Sequence, residues 1–212
     1  MTAAAWVFAS VFAIAATANW WSRLSERRRR TELWSKPLAL IALIGVAVAL
    51  DPADQLVRAW FVVALLLSLA GDVFLLGGDR WFVPGLVGFL LAHVAYTLGM
   101  VSGDDWSRAG FVVGLATMAV LAATIGWRIV LAAGRKDSIL GPAVVAYLVA
   151  ISLMFCAAMA IGSTWAILGA ALFVASDSIL GWRQFVADGA WMPVTIMVTY
   201  HLGQAGLVAS LL

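Results

Sequence analysis

The sequence predicts an all-α, polytopic membrane protein with eight transmembrane helices, and three observations carry that prediction. Of its 212 residues, 64% are hydrophobic and only 11% charged, whereas soluble domains run at about 45–50% apolar and roughly 25% charged. Seven short polar breaks divide the chain, at Ser22–Ser35, Asp51–Asp54, Gly77–Trp81, Ser102–Ser107, Gly134–Ser138, Gly162–Ser163 and Gln184–Ala190. The runs between them are mostly of the length, about 20 residues, that crosses a bilayer as a helix. Lastly, eleven of the thirteen Lys and Arg residues fall at alternate breaks. An aqueous fold has no means of hiding this much apolar surface, so residues 1–212 are expected to form a single integral membrane domain.

The first run ends in Ala16-Thr17-Ala18, a small-residue pattern of the signal-peptidase kind, but no cationic segment precedes it and its positive charges follow. It reads as a retained helix. The second is short: Lys36-Pro37 marks a natural helix start, which leaves Pro37–Leu50 to cross, beginning earlier or sitting in a locally thin bilayer. The third run ends at Leu76 before two glycines. The fourth carries Pro84, His93 and Tyr96. The fifth and sixth are separated by Gly134-Arg-Lys-Asp-Ser138, the sixth and seventh by Gly162-Ser163 alone, and the eighth carries Pro193, Tyr200, His201 and Gln204. Trp20, Trp21, Trp34, Trp81, Trp106, Trp165 and Trp191 lie near run ends, where indole rings favour the membrane interface.

The odd breaks and their flanks hold Arg23, Arg27–Arg30, Lys36, Arg80, Arg128, Arg135, Lys136 and Arg183; the even side holds only Arg58 and Arg108. The positive-inside rule makes the odd breaks cytoplasmic, and an even number of spans places both termini outside. The cluster Arg27–Arg30 beside a membrane helix is a topology determinant or an anionic-lipid contact rather than a nucleic-acid site. The sole cysteine, Cys156, permits neither an intramolecular disulfide nor a cysteine-based metal centre.

Two aspartates stand inside apolar runs: Ser68-Leu-Ala-Gly-Asp72-Val-Phe-Leu-Leu76 and Phe173-Val-Ala-Ser-Asp177-Ser-Ile-Leu180. An ionisable group at membrane depth costs several kcal/mol unless it pairs, binds water or takes up a proton, which makes each a functional candidate. Spans three and seven run in the same direction, so both carboxyls lie at similar depth near the cytoplasmic face. If they share a site, one proton can be held between them as an acid and a base. Around them the pattern supplies an inward-facing polar set. Ser68 lies one turn from Asp72 on the same face, and Ser176 adjoins Asp177. His93 and Tyr96 are three apart, Tyr200 and Gln204 four apart, and Lys36 stands near the cytoplasmic boundary. Structural roles are the alternatives: Asp72 as a cap for a neighbouring helix, His93 on a carbonyl, the tyrosines in packing or in an interface belt. A weak symmetry, with each aspartate span leading to a span bearing Pro and Tyr, suggests two parallel four-helix repeats.

The motifs Leu69-Ala-Gly-Asp72-Val-Phe-Leu-Leu76, Phe89-Leu-Leu-Ala-His93-Val-Ala-Tyr96, Gly169 through Phe185, and Thr199-Tyr200-His-Leu-Gly-Gln204 resemble the YhhN family of membrane proteins, which includes the animal lysoplasmalogenases. Lys36-Pro37 fits as well. The resemblance covers nearly the whole chain and implies an eight-helix fold in the cell membrane and hydrolysis of the vinyl ether bond of a lysolipid to a fatty aldehyde and a glycerophospho-base. Asp72 and Asp177 are then the catalytic candidates, with Lys36, His93, Tyr96, Ser176, Tyr200 and Gln204 toward the substrate; His201 is given no role. That chemistry needs no metal and no cofactor. Its partners are a lysolipid substrate and membrane lipids. The competing class is a proton-coupled transporter of lipids or small molecules, with the two aspartates as proton sites.

Overall fold

The computed structural model describes residues 1–52, 54–103 and 106–212, together with the backbone but not the side chains of residues 26 and 79. The expected breaks Asp51–Asp54 and Ser102–Ser107 therefore fall partly outside the described residues. All regular structure among those residues is helical, and eight long helices follow one another: α1 Ala3–Ser22, α2 Arg29–Ala49, α3 Gln55–Leu76, α4 Phe82–Val101, α5 Arg108–Lys136, α6 Leu140–Ile161, α7 Thr164–Phe185 and α8 Met192–Ala209. Seven are long and apolar enough to cross a membrane. The last, α8, is 18 residues long and buries Tyr200, His201 and Gln204, polar groups that lower its mean hydropathy. Many large apolar side chains remain exposed, among them Trp6, Ile14, Val112, Val120 and Leu153, as a lipid-facing surface requires. The protein is a multi-pass membrane protein.

Local chemistry starts and stops the helices. The Thr2, Asp54, Ser107 and Ser163 side chains each accept from a backbone N–H in the first turn of α1, α3, α5 and α7, satisfying donors that a helix start leaves open. Gly162, at φ 69°, ends α6, and Gly78, at φ 85°, turns the chain after α3. Glycine enters this left-handed region without the penalty a Cβ imposes.

The second span takes the earlier start, one of the two alternatives that the sequence leaves open. Rather than opening at Lys36-Pro37, α2 begins at Arg29 after a single 3₁₀ turn, Glu26–Arg28, and carries Pro37 inside it. The polar residues Arg29–Ser35 can be helical because they have partners. Glu32 pairs with both Arg23 and Arg29, Ser35 accepts from the Asn19 amide at 3.3 Å, and the Arg29 guanidinium donates to the Leu76 carbonyl at the end of α3, 2.6 Å away. Proline is tolerated in membrane helices where neighbours satisfy the freed backbone. The crossing thereby gains its full length.

Helices α3 and α4, and α7 and α8, form close hairpins built on glycine. A Cβ on Gly88 would lie 3.0 Å from the Gly71 Cα, and one on Gly169 would lie 2.6 Å from the Leu207 nitrogen. Such approach between backbones is what small residues provide in membrane helix pairs. Gly71 stands near the end of α3, whereas Gly169 stands near the start of α7, so the two halves of the chain are pinched at opposite ends. One result is that the later turns of α7 and the early turns of α8 are left to line a cavity. Met1, Thr2, Leu50, Asp51, Leu211 and Leu212 border a common recess, which puts both termini at the end of the bundle opposite Arg23 and Arg183. In α5 the ladder widens into a π turn at Ala122–Gly126.

Candidate functional site

Toward the arginine-rich end of the bundle a cavity of about 200 Å³ lies between α2, α3, α7 and α8, and Asp72 and Asp177 both line it. Each carboxylate has its own partners. Lys36 Nζ is 2.9 Å from Asp72 Oδ1, and the Tyr200 hydroxyl donates to Asp72 Oδ2 at 2.9 Å. This is a cross-helix ion pair with side chains 8% and 1% exposed, and burying two opposite charges together avoids most of the cost of burying either alone. Asp177 Oδ2 accepts from the Tyr147 hydroxyl of α6, and His93 Nε2 of α4 stands 3.6 Å away. Among the described residues no Lys or Arg reaches Asp177, and no hydrogen bond joins the two carboxylates.

Aromatic packing fixes this arrangement. His93 meets Tyr147 and Phe173 edge to face, at centroid separations of 5.1 and 4.8 Å, and Phe173 and Phe89 meet Tyr200 in the same way at 5.5 and 5.7 Å. Edge-to-face pairs add about 0.5–1.5 kcal/mol each beyond burial, so the groups that hold the carboxylates are themselves held.

The expected site residues divide into two groups. Lys36, Ser176 and Tyr200 line the cavity beside the aspartates, with the Ser176 hydroxyl donating to the Ile196 carbonyl at 3.0 Å. His93 lies behind Asp177, fully buried, and its two ring nitrogens have no hydrogen-bond partner among the described residues. Tyr96 and Gln204 meet each other instead, the hydroxyl donating to Gln204 Oε1, and neither is on the cavity wall. From the sequence both are expected to face the pocket. Three residues along α4 turn Tyr96 about 60° away from His93 and carry it about 4.5 Å along the axis, so it packs on Phe61 at 5.0 Å and reaches α8. Among the described residues Asp72 is held by Lys36 and Tyr200 rather than by a helix N-terminus, and His201 takes a hydrogen bond from the Trp20 indole on Nδ1 at 3.0 Å.

One feature that the sequence does not single out is Tyr147; the chain has only three tyrosines, of which Tyr96 and Tyr200 are buried and Tyr147 is half-buried against Asp177. A hydroxyl in the middle of an apolar run is a signal of the same kind as the aspartates. Arg23, Arg29, Glu32 and Arg183 border the cavity and also an adjoining recess of about 790 Å³ at the bundle end. From sequence the arginines near Lys36 read as topology charges that could also attract a substrate phosphate at the cytoplasmic surface. At the rim Arg183 Nε donates to Asp188 at 2.8 Å and holds that carboxyl below its ordinary range.

Beside the polar cavity runs an apolar slot of about 80 Å³ between α4, α5, α6 and α7. Asp177 belongs to both, as do Leu75, Phe82, Phe89 and Leu180. The arrangement is bipolar: a basic mouth, a carboxylate pair, and a hydrocarbon-lined slot meeting at one of the carboxyls.

Comparison with known proteins agrees with this architecture. Residues 31–211 match the model of the YhhN family. A protein of Mycobacterium bovis and one of Mycobacterium tuberculosis, both named lysoplasmalogenase, are each 33% identical over 181 residues, covering 81% of this chain and 67% of the relative. No solved structure matches. With a family match across nearly all of its helices, the chain belongs to the YhhN family.

Proposed function

We propose that the protein hydrolyses the vinyl ether bond of a lysolipid, releasing a fatty aldehyde and a glycerophospho-base, with Asp177 and Asp72 as acid and base. The observation that carries this reading is that two carboxyls, Asp72 fully buried and Asp177 half-buried, line one cavity in different surroundings: Asp72 faces a lysine, and Asp177, at the seam of the polar cavity and the apolar slot, faces none among the described residues. Neighbouring titratable groups in unlike environments divide acid and base roles between them. Lys36 neutralises Asp72 as a carboxylate, and Asp177 carries the proton.

The steps then balance. Asp177 gives its proton to the alkene carbon remote from the ether oxygen, leaving an oxocarbenium ion that the Asp72 carboxylate stabilises. Water adds to the cationic carbon and gives a proton to Asp72, forming a hemiacetal. On collapse Asp72 protonates the departing glycerol oxygen and Asp177 takes the hemiacetal hydroxyl proton, which restores both groups. Tyr200 and Tyr147 orient the two carboxyls, and Arg23, Arg29 and Arg183 at the mouth attract the phosphate. Both termini lie outside the cytoplasm in this reading, so that the mouth meets the cytoplasmic leaflet.

The relatives named lysoplasmalogenase support the same reaction class. The test is aldehyde release from a 1-alkenyl lysophospholipid by the purified protein in deuterated water. The mechanism places a single deuterium on the carbon next to the carbonyl. Absence of aldehyde overturns the proposal; lysolipid flux across sealed liposomes without aldehyde establishes the transporter instead.

A further inference from the structure

The apolar slot has dimensions and surroundings that the carboxylate chemistry does not itself require. Its walls come from the faces of four helices. On α7 it extends from Val174 to Phe185, a run of roughly 16 Å at the helical rise. It continues past Asp177 toward the middle of the bundle, to Met118 on α5 and Ile151 on α6, which are 3% and 4% exposed. That end is closed. The π turn of α5 forms part of the wall through Gly126, with Leu121 immediately before the turn, and such turns recur at functional positions in helices. A Cβ on Gly126 would stand 3.0 Å from Leu148, another residue of the wall. Apart from Asp177, Tyr147 and Ser178 the lining residues carry no polar side chain.

We infer that this slot holds the hydrocarbon chain of the substrate, a single-chain amphiphile, with the closed end at Met118 and Ile151 limiting chain length. The inference rests on the hydrolase reading and adds to it the place and the length limit of the chain. The occupant follows from three observations. The slot is narrow, so it takes one chain and excludes a diacyl lipid. It joins the polar cavity at Asp177, so a molecule occupying both has a polar end and an apolar end. The polar end meets Lys36 and three arginines against Glu32 and Asp72 on the same wall, an excess of positive charge that suits a headgroup bearing a phosphate. Bound in this way, the bond between headgroup and chain lies beside Asp177.

The experiment uses a saturated 1-alkyl lysophospholipid with a diazirine at the chain terminus, which binds without being hydrolysed, and the full-length protein in nanodiscs. Cross-linking followed by peptide mass spectrometry is expected to label Met118, Leu121 or Ile151, with the label displaced by excess unmodified alkyl lysolipid. Labelling confined to lipid-facing positions on the same helices, such as Val112, Val120 or Leu153, and insensitive to competitor overturns the inference. Ile151→Trp shortens the slot, and the ratio of long-chain to short-chain kcat/KM is expected to fall about tenfold or more, the scale on which apolar pockets discriminate by a few methylenes. An unchanged ratio in a folded Ile151→Trp protein also overturns it. The wild-type cross-link decides the matter if that variant fails to fold. Aldehyde release with labelling outside the slot rejects the slot and keeps the hydrolase; labelling in the slot without aldehyde does the reverse.

Discussion

Replacing Lys36 with methionine would leave the Asp72 carboxylate without its counter-ion at a position that is fully buried. The pair is 2.9 Å apart with side chains 8% and 1% exposed, so solvent compensates little. Removing one member of such a pair costs about 3–5 kcal/mol. For a chain of this size each kcal/mol moves the melting temperature by about 2–4 °C, so Lys36→Met is expected to melt roughly 6–20 °C below wild type. Asp72 can limit the loss by taking up a proton, but it then no longer serves as the base, and turnover is lost by either route. The double variant Lys36→Met, Asp72→Asn removes both charges. Because an apolar substitute for a whole buried pair is often neutral, it should recover most of the lost stability and none of the activity. Thermal unfolding followed by the fluorescence of the eleven tryptophans, with aldehyde release measured in parallel, gives both readings. If the double variant melts as low as Lys36→Met, or if Lys36→Met alone melts within about 2 °C of wild type, the pair is not the buried counter-charge argued here.

Asp177→Asn and Asp72→Asn should each lower kcat by about 10²–10⁴-fold, with losses that do not add because the two act as a unit; near-normal turnover by either, at matched expression and melting temperature, removes that carboxyl from the mechanism. Tyr147→Phe deletes a hydrogen bond to a group that is charged during turnover, worth about 1.5–3 kcal/mol, and an unchanged kcat would show that Tyr147 does not position Asp177. Gly169→Val should prevent accumulation of folded protein, because the new Cβ would fall 2.6 Å from the Leu207 nitrogen and 2.9 Å from the Gly203 oxygen, both backbone atoms; Gly181→Ala, whose nearest neighbour would be the Ile129 side chain at 3.2 Å, should change the melting temperature little. Reporter fusions after Ser25, Lys136 and Leu212 should read inside, inside and outside, and a cytoplasmic C-terminus would reverse the orientation derived from the arginines. A fusion after Asp104, expected outside, tests a position beyond the described residues.

The bilayer made much of this protein legible. A helix must satisfy its own backbone in hydrocarbon, so run lengths and polar breaks alone determined eight spans in order, and the cost of charge at depth singled out Asp72 and Asp177. Lys36 and Tyr200 could be named as their company because a buried carboxylate demands donors. What the sequence could not determine was which donor serves which carboxylate. That depends on the rotation and axial offset of each helix, and those are set where helices touch: at Gly71 and Gly88 between α3 and α4, and at Gly169, Gly203 and Gly206 between α7 and α8. The tertiary structure alone turned Tyr96 and Gln204 toward each other, brought Tyr147 to Asp177 across thirty residues, and chose the earlier start of α2 by giving Glu32 and Arg29 partners beyond that helix. A pattern along one chain records how polar a position is, and only packing between helices decides what that polarity meets.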